Sequence, residues 1–102
     1  MGRSRLDVQT LLEDTAGNTN VYFQPPSNVQ MVYPCIVYQR DYATTRSADN
    51  IPYLYVQRYM VTVIDRDPDS PIHSRVAALP QCLYVRGYAV GGLNHDVFKL
   101  YF

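Results

Sequence analysis

Residues 58–79 read RYMVTVIDRDPDSPIHSRVAAL, and this stretch decides the fold. Side chains alternate along a β-strand, so Tyr59, Val61 and Val63 share one face. The residues between them are also apolar or β-branched, so both faces of the strand are suited to burial. This pattern is typical of a strand that is covered on both sides, and it predicts a central position in a sheet.

A short helix is predicted directly after this strand. Ser70 is a natural N-cap, and Pro71 suits the first helical position because its fixed φ matches the helix. The next apolar residues follow at i, i+4 and i+7 and form one stripe: Ile72, Val76 and Leu79. Pro80 ends the pattern, so the helix has barely two turns and depends on packing against the sheet.

The turn between strand and helix has the spacing that opens an EF-hand calcium loop, with Asp65, Asp67 and Asp69. The positions that need Gly and a bidentate Glu hold Ser70 and Val76 instead. We therefore interpret the segment as a solvated turn that places negative charge at the start of the helix. No metal and no cofactor is expected here or elsewhere in the chain.

The composition limits the class of protein. The 102 residues suffice for one domain, and 9 basic and 9 acidic residues give a formal net charge of zero. A protein that binds nucleic acid through phosphate contacts needs a basic excess, so the charge argues against that class. Eight of the nine basic residues are Arg, and there are ten Tyr and no Trp. Arg and Tyr are common in protein contact surfaces, although Tyr is also a good strand residue.

The sequence predicts neither a membrane span nor a secretory leader. No apolar run approaches the roughly 20 residues of a spanning helix, and the first ten residues, MGRSRLDVQT, are polar. Gly2 hints at myristoylation, but Leu6 stands where that motif requires Ser or Thr. We expect a soluble, leaderless protein.

No catalytic motif is present, and we expect no enzymatic activity. Cys35 and Cys82 lie in apolar strand patterns and are interpreted as buried thiols in a reducing compartment. With His73 and His95 they do not show the spacing of a zinc finger. A small enzyme with a Cys–His site remains a competing hypothesis, which requires one of these thiols to lie beside an imidazole.

The remaining elements follow along the chain. An amphipathic helix ends near Gly17 and precedes a short strand over residues 21–24. A second strand is predicted over 29–39, and Pro34 within it indicates an edge strand or a bulge. Polar residues 40–52 are predicted to form an arm, as a long hairpin tip or extended loop, before the strand 53–65.

Two strands complete the pattern. In residues 82–90, alternation places Leu83, Val85 and Ala89 on one face and Tyr84, Arg86 and Tyr88 on the other. Gly91 and Gly92 predict a hairpin turn, and residues 97–102 return as a strand. The sequence thus predicts a single α+β domain over residues 1–102, in the order α-β-β-β-α-β-β, with an antiparallel or mixed sheet flanked by two short helices.

Several segments resemble a family of small tailed-phage proteins described as minor tail, tail completion or tail terminator proteins. These segments are VYFQPP (21–26), YPCIVY (33–38), ADNIPY (48–53), RYMVTVIDRDPDS (58–70) and GLNHDVFKLYF (92–102). The motifs are structural, and the likeness extends over nearly the whole chain. Residues 89–92 depart from the family pattern, where a more polar turn is expected, and this affects only the hairpin geometry.

The resemblance implies a structural virion protein that forms a ring, commonly of six subunits, at the head-proximal end of the tail. Such a ring ends growth of the tail tube and contacts the head connector. The implied partners are other copies of the chain, the tail tube protein and the connector or neck protein, with no membrane and no specific nucleic acid beyond DNA passing through the lumen. The implied location is the virion, or the host cytoplasm during assembly.

Position and residue type suggest the subunit or partner contacts. The candidates on the arm are Arg40, Asp41, Tyr42, Arg46, Asp49 and Asn50. Arg58 and Arg86 are candidates for salt-linked contacts between or within subunits. A head-side neck adaptor or head-closure protein is an alternative within the same class. A small nucleic-acid-binding module that uses Tyr and Arg on its strands is an alternative of a different class.

Overall fold

Five strands form one mixed sheet that carries both helices on the same face. The structure is a computed structural model that describes residues 5–48 and 51–102, with side chains described outside residues 42–56. The elements are α1 (Arg5–Ala16), β1 (Val21–Phe23), β2 (Cys35–Ala48), β3 (Ile51–Asp65), α2 (Pro71–Ala77), β4 (Cys82–Val90) and β5 (Leu93–Tyr101). The predicted α+β class and element order are confirmed.

The strand order is β1-β2-β3-β5-β4, so β3 is the central strand, as predicted. β1 and β2 are parallel, and every other neighbouring pair is antiparallel. As a result, β4 runs in the opposite direction to β2.

The helix face of the sheet, defined by Tyr59, Val61 and Val63 on β3, holds the core. In register with these residues, Phe98 and Leu100 extend the apolar surface across β5. The helices cover it with a stripe of buried side chains: Val8, Leu12 and Ala16 from α1, and Ile72 and Val76 from α2. Removing each large apolar side chain from water contributes about 1.5–3 kcal/mol, which offsets the weak intrinsic stability of such short helices.

α2 begins as the sequence predicts. The Ser70 hydroxyl accepts a hydrogen bond from the Ile72 backbone N–H at 3.2 Å, and Pro71 occupies the first turn. The helix ends at Ala77, and Leu79 follows it and packs against the core. Neither helix in the described part of the chain is long and apolar enough to cross a membrane.

The second face of the sheet, which carries Met60, Thr62 and Ile64, is covered differently at its two sides. On the β1 side, the connection from β1 to β2 crosses it, and the Val32 backbone N–H donates to the Tyr22 hydroxyl at 3.0 Å. Cys35 on β2 and Ile64 are buried there. On the β4 side, the apolar side chains are exposed.

The predicted limits of β2 are wrong. The strand begins at Cys35, directly after a cis peptide bond between Tyr33 and Pro34, and residues 29–34 lie outside it. It is also not an edge strand at this point, because β1 pairs with residues 36–38. Pro34 precedes the ladder, so its missing N–H removes no strand hydrogen bond.

The predicted faces of β4 are also partly wrong. The pairing with β5 shifts between Tyr84 and Arg86, so Val85 is an extra residue in a β-bulge. Tyr84 precedes the bulge and lies on the helix face, where the centres of its ring and of the Phe98 ring are 5.4 Å apart. Arg86 and Tyr88 lie on the second face, because the bulge reverses the alternation after it.

The arm is the part of the β2–β3 hairpin that extends past the rest of the sheet, residues 41–48 and 51–56. Its strands pair with each other up to Ala48 and Ile51, so strand pairing, with a register shift between Arg46 and Ser47, runs through the segment predicted as a hairpin tip or loop. β5 pairs with β3 only from Arg58 onward, and β1 meets β2 only over residues 36–38. The arm is therefore a two-stranded ribbon, and the molecule measures 50 × 24 × 22 Å.

Candidate subunit-contact surfaces

The base of the arm brings together two of the predicted contact residues. The Arg58 Nε donates to Asp41 Oδ2 at 2.7 Å, across the bulge that interrupts pairing between β2 and β3. Hydrogen bonding to Tyr101, and then to Asp41, raises the pKa of Arg58. Arg58 is thus bound within its own chain and fixes the base of the arm to β5.

Arg40 lies beside this pair and is exposed. Its backbone N–H donates to Gln24 Oε1 at 3.2 Å, and its guanidinium carbon lies 5.9 Å from the centre of the Phe23 ring. Arg5 of α1 lies over the same ring at 4.7 Å. Two guanidinium groups therefore flank one aromatic ring at the base of the arm, which gives this end of the molecule positive charge.

The other arm candidates are described only in part. The backbones of Tyr42 and Arg46 lie in β2, opposite Arg58 and Leu54 respectively, and their side chains lie outside the described residues. Asp49 and Asn50 lie wholly outside the described residues. The contact roles predicted for these four residues stay predictions.

Arg86 lies far from the arm, on the exposed strand β4. Its guanidinium carbon is 5.5 Å from the centre of the Tyr88 ring, and Tyr88 stacks on His95 with ring centres 4.8 Å apart. The three side chains form a row on the second face of the sheet. Arg86 thus belongs to a different surface from Arg40, Asp41 and Arg58 at the base of the arm.

β4 carries an apolar surface that is not among the sequence predictions. Five of the eight exposed large hydrophobic residues among those described lie on this one strand: Leu83, Tyr84, Val85, Tyr88 and Val90. A signal was present, because nine successive strand residues contain a single charge, Arg86, and no proline. Natural edge strands usually carry more charge than this, or are covered.

Of the two cysteines predicted to be buried, Cys35 is buried, whereas Cys82 is only half-buried and packs against the core. Cys35 is fully buried, and burial, with a smaller effect of the Asp65 charge, raises the pKa of its thiol to about 11. A nucleophilic cysteine needs the opposite shift. Cys35, Ile64 and His95 occupy one cross-strand row, so a whole strand, β3, separates the thiol from that imidazole.

The acidic turn satisfies its own backbone. Asp65 Oδ1 accepts a hydrogen bond from the Asp67 N–H at 3.0 Å, and Asp67 Oδ1 accepts one from the Asp69 N–H at 2.9 Å. Such turns are the usual role of Asp after a strand. The geometry agrees with the interpretation of this segment as a solvated turn.

The site therefore has three parts: the two-stranded arm, the charged base of the arm and the exposed strand β4. A scan against models of protein families finds no match, and a search of curated proteins finds no significant match.

Proposed function

We propose that this protein is a structural component of a tailed-phage virion that forms a ring, with six subunits as the expected number. The ring sits at the head-proximal end of the tail, ends growth of the tail tube and joins the tail to the head connector. The resemblance of the sequence motifs to tail terminator proteins supplies the place in the virion, and the geometry supports the part that concerns self-association.

The observation that carries the proposal is the arm. A ribbon of two strands has unpaired backbone groups along both outer edges and is only marginally stable alone. Packing against another copy would complete its hydrogen bonds. A protruding element of this kind suits a heterologous contact, in which one surface of each copy meets a different surface of the next and the repeat closes into a ring.

The charged base of the arm supports the same conclusion. Arg5 and Arg40 flank Phe23, and Arg58 is held by Asp41, so the end from which the arm projects is rich in oriented guanidinium groups. Arg is enriched in protein interfaces because its planar group binds carboxylates in a fixed geometry and stacks on aromatic rings.

Native mass spectrometry of the purified protein, alone and with the tail tube protein of the same phage, tests the proposal. We expect a closed ring of defined size, and electron microscopy should show that it caps one end of the tubes. A chain that stays monomeric both alone and with tubes would refute the proposal. Rings that bind the head connector and ignore the tube would indicate the head-side adaptor instead.

One observation favours a second candidate, a small nucleic-acid-binding module. The exposed pair of Arg86 and Tyr88 on a strand resembles a platform on which a base can stack. Fluorescence anisotropy with a labelled single strand at two salt concentrations tests this function. Tight binding that weakens with salt and with Tyr88→Ala would support it, and the zero net charge predicts that no such binding occurs.

A further inference from the structure

The outer edge of β4 has the properties of a docking strand. In the part of the chain that the structure describes, β5 is the only strand that pairs with β4, so its other edge presents unpaired backbone groups. Only Arg86 and the bulge at Val85 protect this nine-residue edge from a further strand. Nothing else on β4 opposes the addition of a strand.

Exposed apolar side chains on β4 would stabilise an added strand. Leu83 and Val90 are 59% and 61% exposed, and both lie on the second face of the sheet, as does Tyr88. An added strand would cover the backbone edge and part of these apolar groups at the same time. Backbone hydrogen bonds combined with apolar side-chain contacts are the usual basis of strand addition.

The matching edge lies on the opposite side of the molecule. Beyond residues 36–38, β2 has no outer neighbour among the described strands, which leaves the eight residues 41–48 of the arm with an open edge. This length is close to the nine residues of β4. Each copy therefore carries one open edge of similar length on either side of its sheet.

The directions of the two strands also agree. β4 runs opposite to β2, so two copies in the same orientation, shifted along the strands by about the length of the arm, bring β4 of one copy antiparallel to residues 41–48 of the next. Antiparallel pairing needs no crossover and is the more stable ladder. A ring requires the same contact between two different surfaces to repeat from each copy to the next, with a rotation that closes, and this pairing is a contact of that kind.

Pairing of β4 with itself is the alternative, and charge opposes it. Arg86 is the middle residue of β4, so a two-fold antiparallel pair in full register places two guanidinium groups opposite each other. Like charges that face each other across strands are destabilising. Residues 41–48 of the arm instead carry one charge of each sign, Asp41 and Arg46, so they add no net positive charge opposite Arg86.

We propose that the outer edge of β4 receives the β2 strand of the arm, residues 41–48, from a second copy of the chain as an additional antiparallel strand. This inference rests on the proposed self-association and names the two surfaces that meet. It predicts a continuous sheet running from copy to copy around the assembly.

Crosslinking identifies the occupant directly. A photoreactive phenylalanine analogue replaces Tyr88, and the labelled chain is assembled with an isotopically heavy copy. We expect crosslinks from position 88 to heavy peptides that contain residues 41–48. The same analogue at Leu6, which is 63% exposed on α1, should give no crosslink to that peptide. Crosslinks from position 88 to heavy β4 would overturn the inference in favour of a two-fold pair.

A matched pair of substitutions provides the second measurement. Val90 and Val32 are both 61% exposed, but only Val90 lies on β4. Val90→Lys should raise the concentration needed for half-maximal assembly by roughly tenfold or more, while Val32→Lys leaves it unchanged. Circular dichroism confirms that each variant is folded, and Val90→Thr replaces any Lys variant that is not.

The outcomes separate the two proposals. A wild-type chain that never assembles refutes the proposed ring and this inference together. A wild-type ring that tolerates Val90→Lys and gives no crosslink from position 88 to the arm refutes only the role of β4, and the ring proposal stands.

Discussion

The helix face of the sheet and the exposed strand β4 use the same kinds of side chain with opposite results. On the helix face, Tyr59 and Phe98 are 1% and 0% exposed because α1 and α2 cover them. On β4, Leu83 and Val90 keep more than half of their surface in water. An apolar side chain stabilises the fold only by the area that it removes from water. The first region therefore holds the domain together, and the second is available to another molecule.

Phe98→Ala should give the largest loss of stability. The ring is fully buried between β3, Tyr84 and His73, and its removal leaves a cavity, so we expect a cost of about 3–5 kcal/mol. Val90→Ala is the control on the exposed strand and should change the free energy of unfolding by less than about 0.5 kcal/mol. Urea denaturation of the non-assembled protein measures both. Equal losses would show that β4 contributes to the fold as much as the core does.

A pH-dependent loss of about 2 kcal/mol should come from Cys35. Burial raises its thiol pKa from 9.0 to about 11, so between these values the unfolded chain has lost a proton that the folded chain retains. Stability therefore falls as pH rises through this window and is unaffected below it. Urea denaturation at pH 7.5 and 10.5 should show a smaller difference for Cys35→Ala than for the wild type. The same pH-dependent difference in stability in both proteins would mean that solvent reaches the second face at β2, as it does at β4.

Ser70→Ala should cost about 1 kcal/mol, because it removes the hydroxyl that accepts the Ile72 N–H at the start of α2. Ser74 is exposed within the same helix, so Ser74→Ala is the matched control and should be neutral or slightly stabilising. Thermal unfolding followed by circular dichroism compares the two. If both variants behave alike, packing rather than the cap positions α2 on the helix face.

The smallest effect is expected at Gly87, which the Tyr84 side chain of the same strand approaches closely. A Cβ atom there would lie 2.6 Å from the Tyr84 hydroxyl and 2.9 Å from Asp96 Oδ1. Gly87→Ala should therefore move the hydroxyl away from Asp96 and lower the pKa of Tyr84, which desolvation and this carboxylate raise. Titration of the tyrosine ring by NMR measures the shift, and Asp96→Asn should lower the same pKa. An unchanged pKa in both variants would show that Tyr84 is not held over Gly87.

The sequence was sufficient wherever local chemistry decides the structure. The alternation in β3, the cap at Ser70 and the apolar face of β5 all follow from neighbouring residues, and the element order was predicted from them. The sequence is not sufficient where the structure depends on pairing with a segment that is distant in the chain. That β5 lies between β3 and β4, and that β1 runs parallel to β2, are pairings that no short segment encodes.

The candidate site shows the same division. Arg40 and Asp41 are predicted as contact residues from their type and position, and that role stays a prediction, but the ion pair between Asp41 and Arg58 depends on strand register. The polar residues of 40–52 were interpreted as a hairpin tip or loop, whereas cross-strand pairing continues to Ala48. The apolar surface of β4 was missed because exposure depends on which strands lack a neighbour.

The bulge at Val85 has a consequence for the whole of β4. An uninterrupted strand would send Tyr84, Arg86 and Tyr88 to the same side, but the inserted residue changes the phase of everything after it. Tyr84 thereby lies on the helix face, while Arg86 and Tyr88 lie on the second face. The number of residues at this one position, rather than the identity of any side chain, thus determines which side chains of β4 lie on each face of the sheet. Deletion of a single residue there would exchange the side chains on the helix face with those on the second face, from the bulge to the end of β4.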